Sequence, residues 1–160
     1  MRARITVDKY RALAELRYRI LRFLRDGDTA ARAAGLKPQQ YLMLLSIRGL
    51  PQCGEATIRT LASRVALKHH STVELIDRLE NQGYLRRSRR GDDRRLVMVS
   101  LLPRGERVLE GVVRHRIFEL HSNGRRLVRA INQLLEHTRP PRSDNDERNS
   151  PERRGREKLG

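Results

Sequence analysis

The sequence predicts a mainly α-helical chain with one small β-hairpin. Three observations carry this. Apolar residues recur at helical spacing through most of residues 8–137. Two short runs, Tyr84–Ser88 and Leu96–Leu101, read instead as strands, with Gly91 at the turn between them. Glycine and proline punctuate the pattern at Gly35, Pro38, Gly49–Pro51, Gly83 and Pro103.

In chain order, Asp8–Arg25 places Tyr10, Leu13, Ile20, Leu21 and Leu24 at helical intervals, with arginines on the other face. Thr29–Ala34 is alanine-rich and stops at Gly35, a short helix at most. Pro38 suits a first helical position, and the helix it opens is apolar nearly all round, which predicts burial. Thr57 is a good N-cap for Ile58–Val65. A three-residue turn, Ala66–Lys68, leads into a second helix reaching Gln82, and Gly83 stands where a left-handed C-cap is expected. The hairpin follows, its loop spanning Arg89–Arg95. Pro103 opens a helix to about Ser122. Asn123–Gly124 interrupts it, and Arg125–His137 forms the last helix.

The chain of 160 residues carries 35 basic and 19 acidic side chains, a net +16, nearly all of the excess being arginine. The last 22 residues, Arg139–Gly160, hold three prolines and one large aliphatic residue, and are expected to be a disordered charged tail. That tail contributes only +2, so residues 1–138 keep +14, a field that points to a polyanion. The longest uncharged apolar stretches are seven residues, against about 20 for a membrane span. The first 26 residues, with eight basic and three acidic side chains, have no continuous apolar stretch of the signal-peptide kind. One cysteine, Cys53, excludes an internal disulfide framework. The expectation is a cytoplasmic protein without membrane attachment.

Two short helices joined by a tight turn and followed by a basic hairpin make a winged helix-turn-helix. Ile58–Val65 braces the next helix, which can enter a major groove about 12 Å wide. The hairpin then reaches the flanking minor groove, whose negative potential attracts arginine. Six arginines lie within Arg86–Arg95. Either element alone is unspecific, because helix-turn-helix units are common packing devices and arginine runs are commonly solvated. Their adjacency in a +14 body is what points to nucleic acid. With Val73, Ile76 and Leu79 turned to the core, His69, His70, Ser71, Thr72, Glu74 and Arg78 are left for the groove, with Arg89 and Arg90 in the wing. Asp77 and Glu80 suit a groove poorly and are expected to pair within the chain, with Arg78 or Arg87.

The segment LASRVALKHHSTVELIDRLENQGYLRRSRRGDDRRLVMVSLLPRGERVL, Leu61–Leu109, resembles the MarR family of transcription regulators. The helix order extends the resemblance to about Asp8–His137. It implies a homodimer held by helices at about 8–26 and 103–138, with the winged helix at about 36–102 on each subunit. It places Ser71, Thr72 and Glu74 on groove-facing positions. Asp93 falls on the wing's usual aspartate, orienting the minor-groove arginine Arg95, and Arg94 falls on a phosphate contact. Two departures are Arg90, where the family often has aspartate, and Leu102, where it usually has threonine. The second removes an N-cap worth about 1 kcal/mol. The implied activity is sequence-specific binding of double-stranded DNA at an inverted repeat, as a repressor released by a small phenolic or aromatic acid. Tyr10, Tyr18 and Tyr41 lie on the helices that flank that effector pocket in relatives. The other reading is a basic architectural nucleic-acid-binding protein without an operator.

No enzymatic motif, cofactor or metal is expected. His69, His70, His115, His121 and His137 make no i, i+4 pair and accompany no cysteine at metal-binding spacing. Cys53 reads as a free thiol without redox function. The apolar stripe of Arg125–His137 cannot be buried on a monomer and independently suggests a dimer.

Overall fold

Helix ends fall where backbone chemistry puts them. The computed structural model describes residues 5–51, 55–90 and 93–138, and the backbone alone of residues 90, 93–96, 122 and 138. The elements are α1 (Val7–Ala33), α2 (Pro38–Arg48), α3 (Ile58–Arg64), α4 (His69–Asn81), β1 (Leu85–Arg90), β2 (Asp93–Leu101) and α5 (Pro103–Thr138). Pro38 is the first residue of α2, and the Gln40 side chain accepts the Lys37 N–H at 2.9 Å. Thr57 caps α3 by accepting the Thr60 N–H at 3.1 Å. Three helices close in the same way, with a left-handed residue followed by an N–H that reaches back five positions. These are Gly35 with Leu36 to Ala31 O at 2.9 Å, Ala66 with Leu67 to Ala62 O at 3.0 Å, and Gly83 with Tyr84 to Leu79 O at 3.0 Å. Ala66, at φ +54°, is the one of the three that carries a Cβ in this region.

Two helices are longer than expected. The break before Thr29 is absent, and α1 runs through a buried Gly27. A Cβ there would stand 3.4 Å from the Arg116 guanidinium, so the glycine serves close helix packing and not a chain break. Asn123–Gly124 does not interrupt α5, which packs along α1 over its length. Tertiary contact outweighs the cost of about 1 kcal/mol for an interior glycine.

The core lies between α2, α3, α4, the root of the hairpin and the first half of α5. Leu36, Met43, Leu44, Leu61, Ile76, Leu79, Leu85 and Val112 are fully buried within it. The expectation that α2 is buried on all sides is corrected. Tyr41, Met43 and Leu44 point inward, while Leu42 and Leu45 remain exposed. On α4 the buried face is Thr72, Leu75, Ile76 and Leu79, and Val73 is only half-buried. Of α1, only Ala12, Gly27, Ala30 and Ala31 are buried, so most of its apolar stripe faces outward. Among the described residues no helix is long and apolar enough to cross a membrane.

The hairpin strands extend further than the sequence suggests. Leu85 pairs with Leu101 and Arg89 with Val97, and then the register jumps so that Arg90 pairs with Asp93. The expected seven-residue loop is thus largely strand with a bulge on β2. Residues just before α3 join the same sheet, the Val99 N–H donating to Ala56 O at 2.9 Å and Thr57 bridging to Met98. At the hairpin root, Tyr84 O accepts the Leu102 N–H at 2.9 Å. Gly105 lies directly over it, and a Cβ there would come within 2.0 Å of Tyr84 O.

These contacts set opposite signs for two substitutions. Gly105→Ala should lower stability by on the order of 2–3 kcal/mol, because backbone must move to admit the methyl. Ala66→Gly should raise it by roughly 0.5–1 kcal/mol by relieving the left-handed conformation. Urea unfolding midpoints of the two variants measure both.

Candidate nucleic-acid interface

The interface begins with which residues α4 turns outward. His69, His70, Glu74 and Arg78 are exposed and Ser71 is half-buried, so these five share the outer face and N-terminal end of the helix. Thr72 does not join them. It is fully buried, and its hydroxyl donates back to Lys68 O at 3.1 Å. One residue's step along the helix, about 100°, separates it from Ser71 and turns it into the core. Its assignment to the groove-facing set is therefore corrected.

The wing is tied to α4 by one side chain. Arg87 on β1 places Nη1 2.6 Å from Asp77 Oδ1 and Nη2 2.6 Å from Glu80 Oε2, and its Nε donates to the same Glu80 oxygen at 2.8 Å. The Arg87 backbone N–H donates to Glu80 Oε1 at 2.8 Å. Both carboxylates thus pair within the chain, with Arg87 and not with Arg78. The Arg87 N–H, foremost, holds the Glu80 carboxyl below the usual glutamate range, and Glu80 raises Arg87 in turn.

Strand pleat sorts the remaining arginines. Arg87 and Arg89 share the face that carries the buried Leu85 and Val99, while Arg86 is on the opposite face, its Nε donating to Ser100 Oγ at 3.4 Å. Arg89 is exposed. The side chains of Arg90, Asp93, Arg94 and Arg95 lie outside the described residues, as do Cys53 and the tail from Arg139. The backbone of Arg90 and of Asp93–Arg95 is strand at the wing's far end.

A second tie, which sequence analysis missed, runs from the hairpin root to α5. The Arg104 guanidinium stacks 4.9 Å from the Tyr84 ring centroid and donates to Gln82 O at 2.9 Å. The glycine two residues after Pro103 was the available signal, since close backbone approach is a common reason for one.

The three tyrosines expected to share a pocket do not converge. Tyr10 is exposed, about 12 Å along α1 from Tyr18, and Tyr41 is buried in the core. Burial pushes the Tyr41 hydroxyl up, against a smaller opposing effect of the Arg116 charge. Tyr18 alone borders a cavity between α1 and α5, with Arg22, Phe23, Arg116, Leu120 and Leu127 among its walls. Arg116, largely buried, spans that cavity's base. It donates to Phe23 O at 2.8 Å, lies 4.7 Å from the Phe23 ring centroid and pairs with Glu119. Among the described residues no group of three or more His, Cys, Asp or Glu side chains could hold a metal.

Residues 34–96, from the end of α1 into the wing, match the model of the MarR family. Over those residues the chain is similar to the MarR family. It is 32% identical over 81 residues to the uncharacterized HTH-type transcriptional regulator YsmB of Bacillus subtilis, covering 51% of this chain and 53% of that one. The chain thus spans about half the length of the curated relatives it matches. A MarR family protein from Bacillus stearothermophilus superposes with a TM-score of 0.59 at 25% identity, over 86% of each chain. The transcriptional repressor CouR, solved bound to a 23-mer DNA duplex, superposes with a TM-score of 0.58 at 23% identity, over 76% of this chain and 87% of that one. The mainly α architecture with a small β wing is therefore the MarR fold, and α4 and the β1–β2 hairpin occupy its helix-turn-helix and wing.

The lowered Glu80 pKa gives a signed pH dependence. A carboxyl held down in the folded state stabilises it above the unfolded pKa of about 4.3, and that stability is lost as pH falls through the lower folded value. Glu80→Gln should therefore lower the thermal midpoint near neutral pH and flatten its fall in acid. Thermal scans of both proteins from neutral pH to about pH 3 measure the difference, which should close in the most acidic samples.

Proposed function

We propose that this chain is a dimeric, sequence-specific DNA-binding transcription regulator of the MarR family. The observation that carries the proposal is the outward face of α4, bearing His69, His70, Ser71, Glu74 and Arg78, tied by Arg87 ion pairs to an arginine-rich wing. Ser71 and Glu74 offer a donor and an acceptor for base edges, Glu74 suiting a cytosine amino group. Arg94 and Arg95 supply charge for phosphates and the minor groove from the wing, and Arg89 and Arg90 add to that field. CouR, which shares the fold, is solved on duplex DNA, and that supports the same use of the surface here.

Dimerisation is supported by apolar side chains that the fold leaves uncovered. Tyr10 and Leu13 on α1 and Ile117 and Val128 on α5 are 61%, 55%, 53% and 56% exposed. Patches of this kind mark protein contacts, and a two-fold axis through the terminal helices would cover both sets at once. A two-fold dimer in turn implies an inverted-repeat operator, and a regulator seated there acts as a repressor by excluding other proteins from the site. The cavity between α1 and α5 supports release by a small aromatic acid, since Tyr18 and Phe23 offer ring faces and Arg22 a counter-charge.

The test is selection of duplexes from a random-sequence pool, followed by competition against unselected duplex. The parent should prefer the selected sequence by about 10³-fold or more. Ser71→Ala and Glu74→Ala should change which sequence is selected, while Arg94→Ala should weaken every duplex alike. Equal affinity for selected and unselected DNA, differing only in salt dependence, would favour an architectural protein instead.

A further inference from the structure

We propose that Arg87 is a positioning residue, a strut that sets the angle between the recognition helix and the wing, and not one of the arginines that meets DNA. The inference rests on the DNA-binding reading above and concerns how its surface is held.

Four observations carry it. The guanidinium is engaged on both edges, by Asp77 Oδ1 at 2.6 Å and by Glu80 Oε2 at 2.6 and 2.8 Å. The backbone joins in, because the Arg87 N–H donates to the other Glu80 oxygen at 2.8 Å, so main chain and side chain of one residue are fixed by one carboxylate. Charge also opposes a DNA contact, since one cation sits between two anions and the trio presents a net −1 to a phosphate. Strand pleat turns Arg87 toward α4 while Arg89, on the same face and nearer the tip, stays exposed and unclaimed by those carboxylates.

On the β2 side the ribbon is held by the buried Val99, whose N–H donates to Ala56 O, and by the Thr57–Met98 bridge; on the α4 side Arg87 is the tie. The hairpin is two strands long in its outer part, and a two-stranded ribbon is marginal by itself in water. Its root is held by Tyr84 against α5. Arg87 is the next inward-facing position, so it is where α4 and the ribbon can be locked before the ribbon leaves the body. A planar five-donor fork suits this role, because it can satisfy two carboxylates in one orientation. A wing held in its bound direction avoids an ordering cost on binding.

The strut and a phosphate contact predict opposite signs. Asp77→Asn with Glu80→Gln removes the anchors, leaves Arg87 charged and makes the surface more positive. If Arg87 is a strut, affinity for the duplex selected by the parent should fall about tenfold despite the added charge, from lost preorganisation. If Arg87 contacts phosphate once freed, affinity should rise and the slope of log K against log salt should steepen by about 0.9. Arg87→Lys should bind as weakly as Arg87→Ala under the strut, because a point charge cannot bridge both carboxylates, and should rescue most of what Arg87→Ala loses under a phosphate contact.

A DNA-free readout keeps the two proposals separable. In the Asp77→Asn, Glu80→Gln protein, amide hydrogen exchange should quicken across residues 86–90 and 97–100 while α2 and α5 keep their protection. Tighter binding, rescue by lysine, or exchange that quickens equally throughout the fold would each overturn the strut. A parent protein that prefers no duplex would instead overturn the DNA-binding reading, and the exchange pattern would still decide the strut.

Discussion

One guanidinium links the two parts of the proposed DNA-facing surface. Arg87 leaves the wing, crosses to α4 and meets Asp77 and Glu80 on successive turns of the helix. Asp77 and Glu80 are three positions apart, which is why a single planar group can reach both. Exposed ion pairs are individually weak, at about 0–1 kcal/mol. Here the value lies in geometry, because four interactions converge on one residue and include its backbone. Tyr84 supplies the second constraint a few residues earlier. Its carbonyl is tucked against Gly105, its ring lies under Arg104, and its N–H closes α4. Between them these residues fix where the hairpin starts and which way it points.

The terminal helices follow a different logic. The core is gathered around α2, α3, α4 and the start of α5, and α1 reaches it mainly through Ala30 and Ala31. Small residues let α1 lie close to α5, and Gly27 admits the Arg116 guanidinium between the two. The larger side chains of α1 are consequently turned away from the chain's own core. In the proposed dimer, that outward face is where the second subunit sits. The recognition surface is then displayed twice about a common axis, which is what converts a helix in one groove into recognition of a two-fold site.

Legibility in the sequence tracked how local the cause was. Caps at Thr57, Gly83 and Pro38 were readable because a few neighbouring residues decide them. The intramolecular pairing of Asp77 and Glu80 was readable from charge sign, since acids are poor neighbours for phosphate, although two arginines remained as candidates until the strand was placed. The continuity of α1 and α5 was not readable. Gly27 and Asn123–Gly124 look like breaks, and only the contact between the two helices keeps them helical. Thr72 was misplaced for a similar reason. Polarity suggested the groove, while its position beside Leu75, Ile76 and Leu79 puts it inside, where its hydroxyl is satisfied by its own helix. The tyrosine pocket failed because shared helices do not imply shared space. Gly105 could have been flagged, yet its partner Tyr84 O lies 21 residues earlier in the chain and is invisible without the fold.

The proposed function requires two copies of the α4–wing surface to read DNA together. Hydroxyl-radical footprinting of the parent protein on a duplex selected from a random pool tests this directly. The expected result is a two-fold symmetric footprint on one face of the helix, with half-site centres about one turn, or 10–10.5 base pairs, or a small multiple of it apart, and flanking protection in the minor groove from the wings. Protection of a single half-site, or a featureless ladder that fades uniformly with salt, would contradict it.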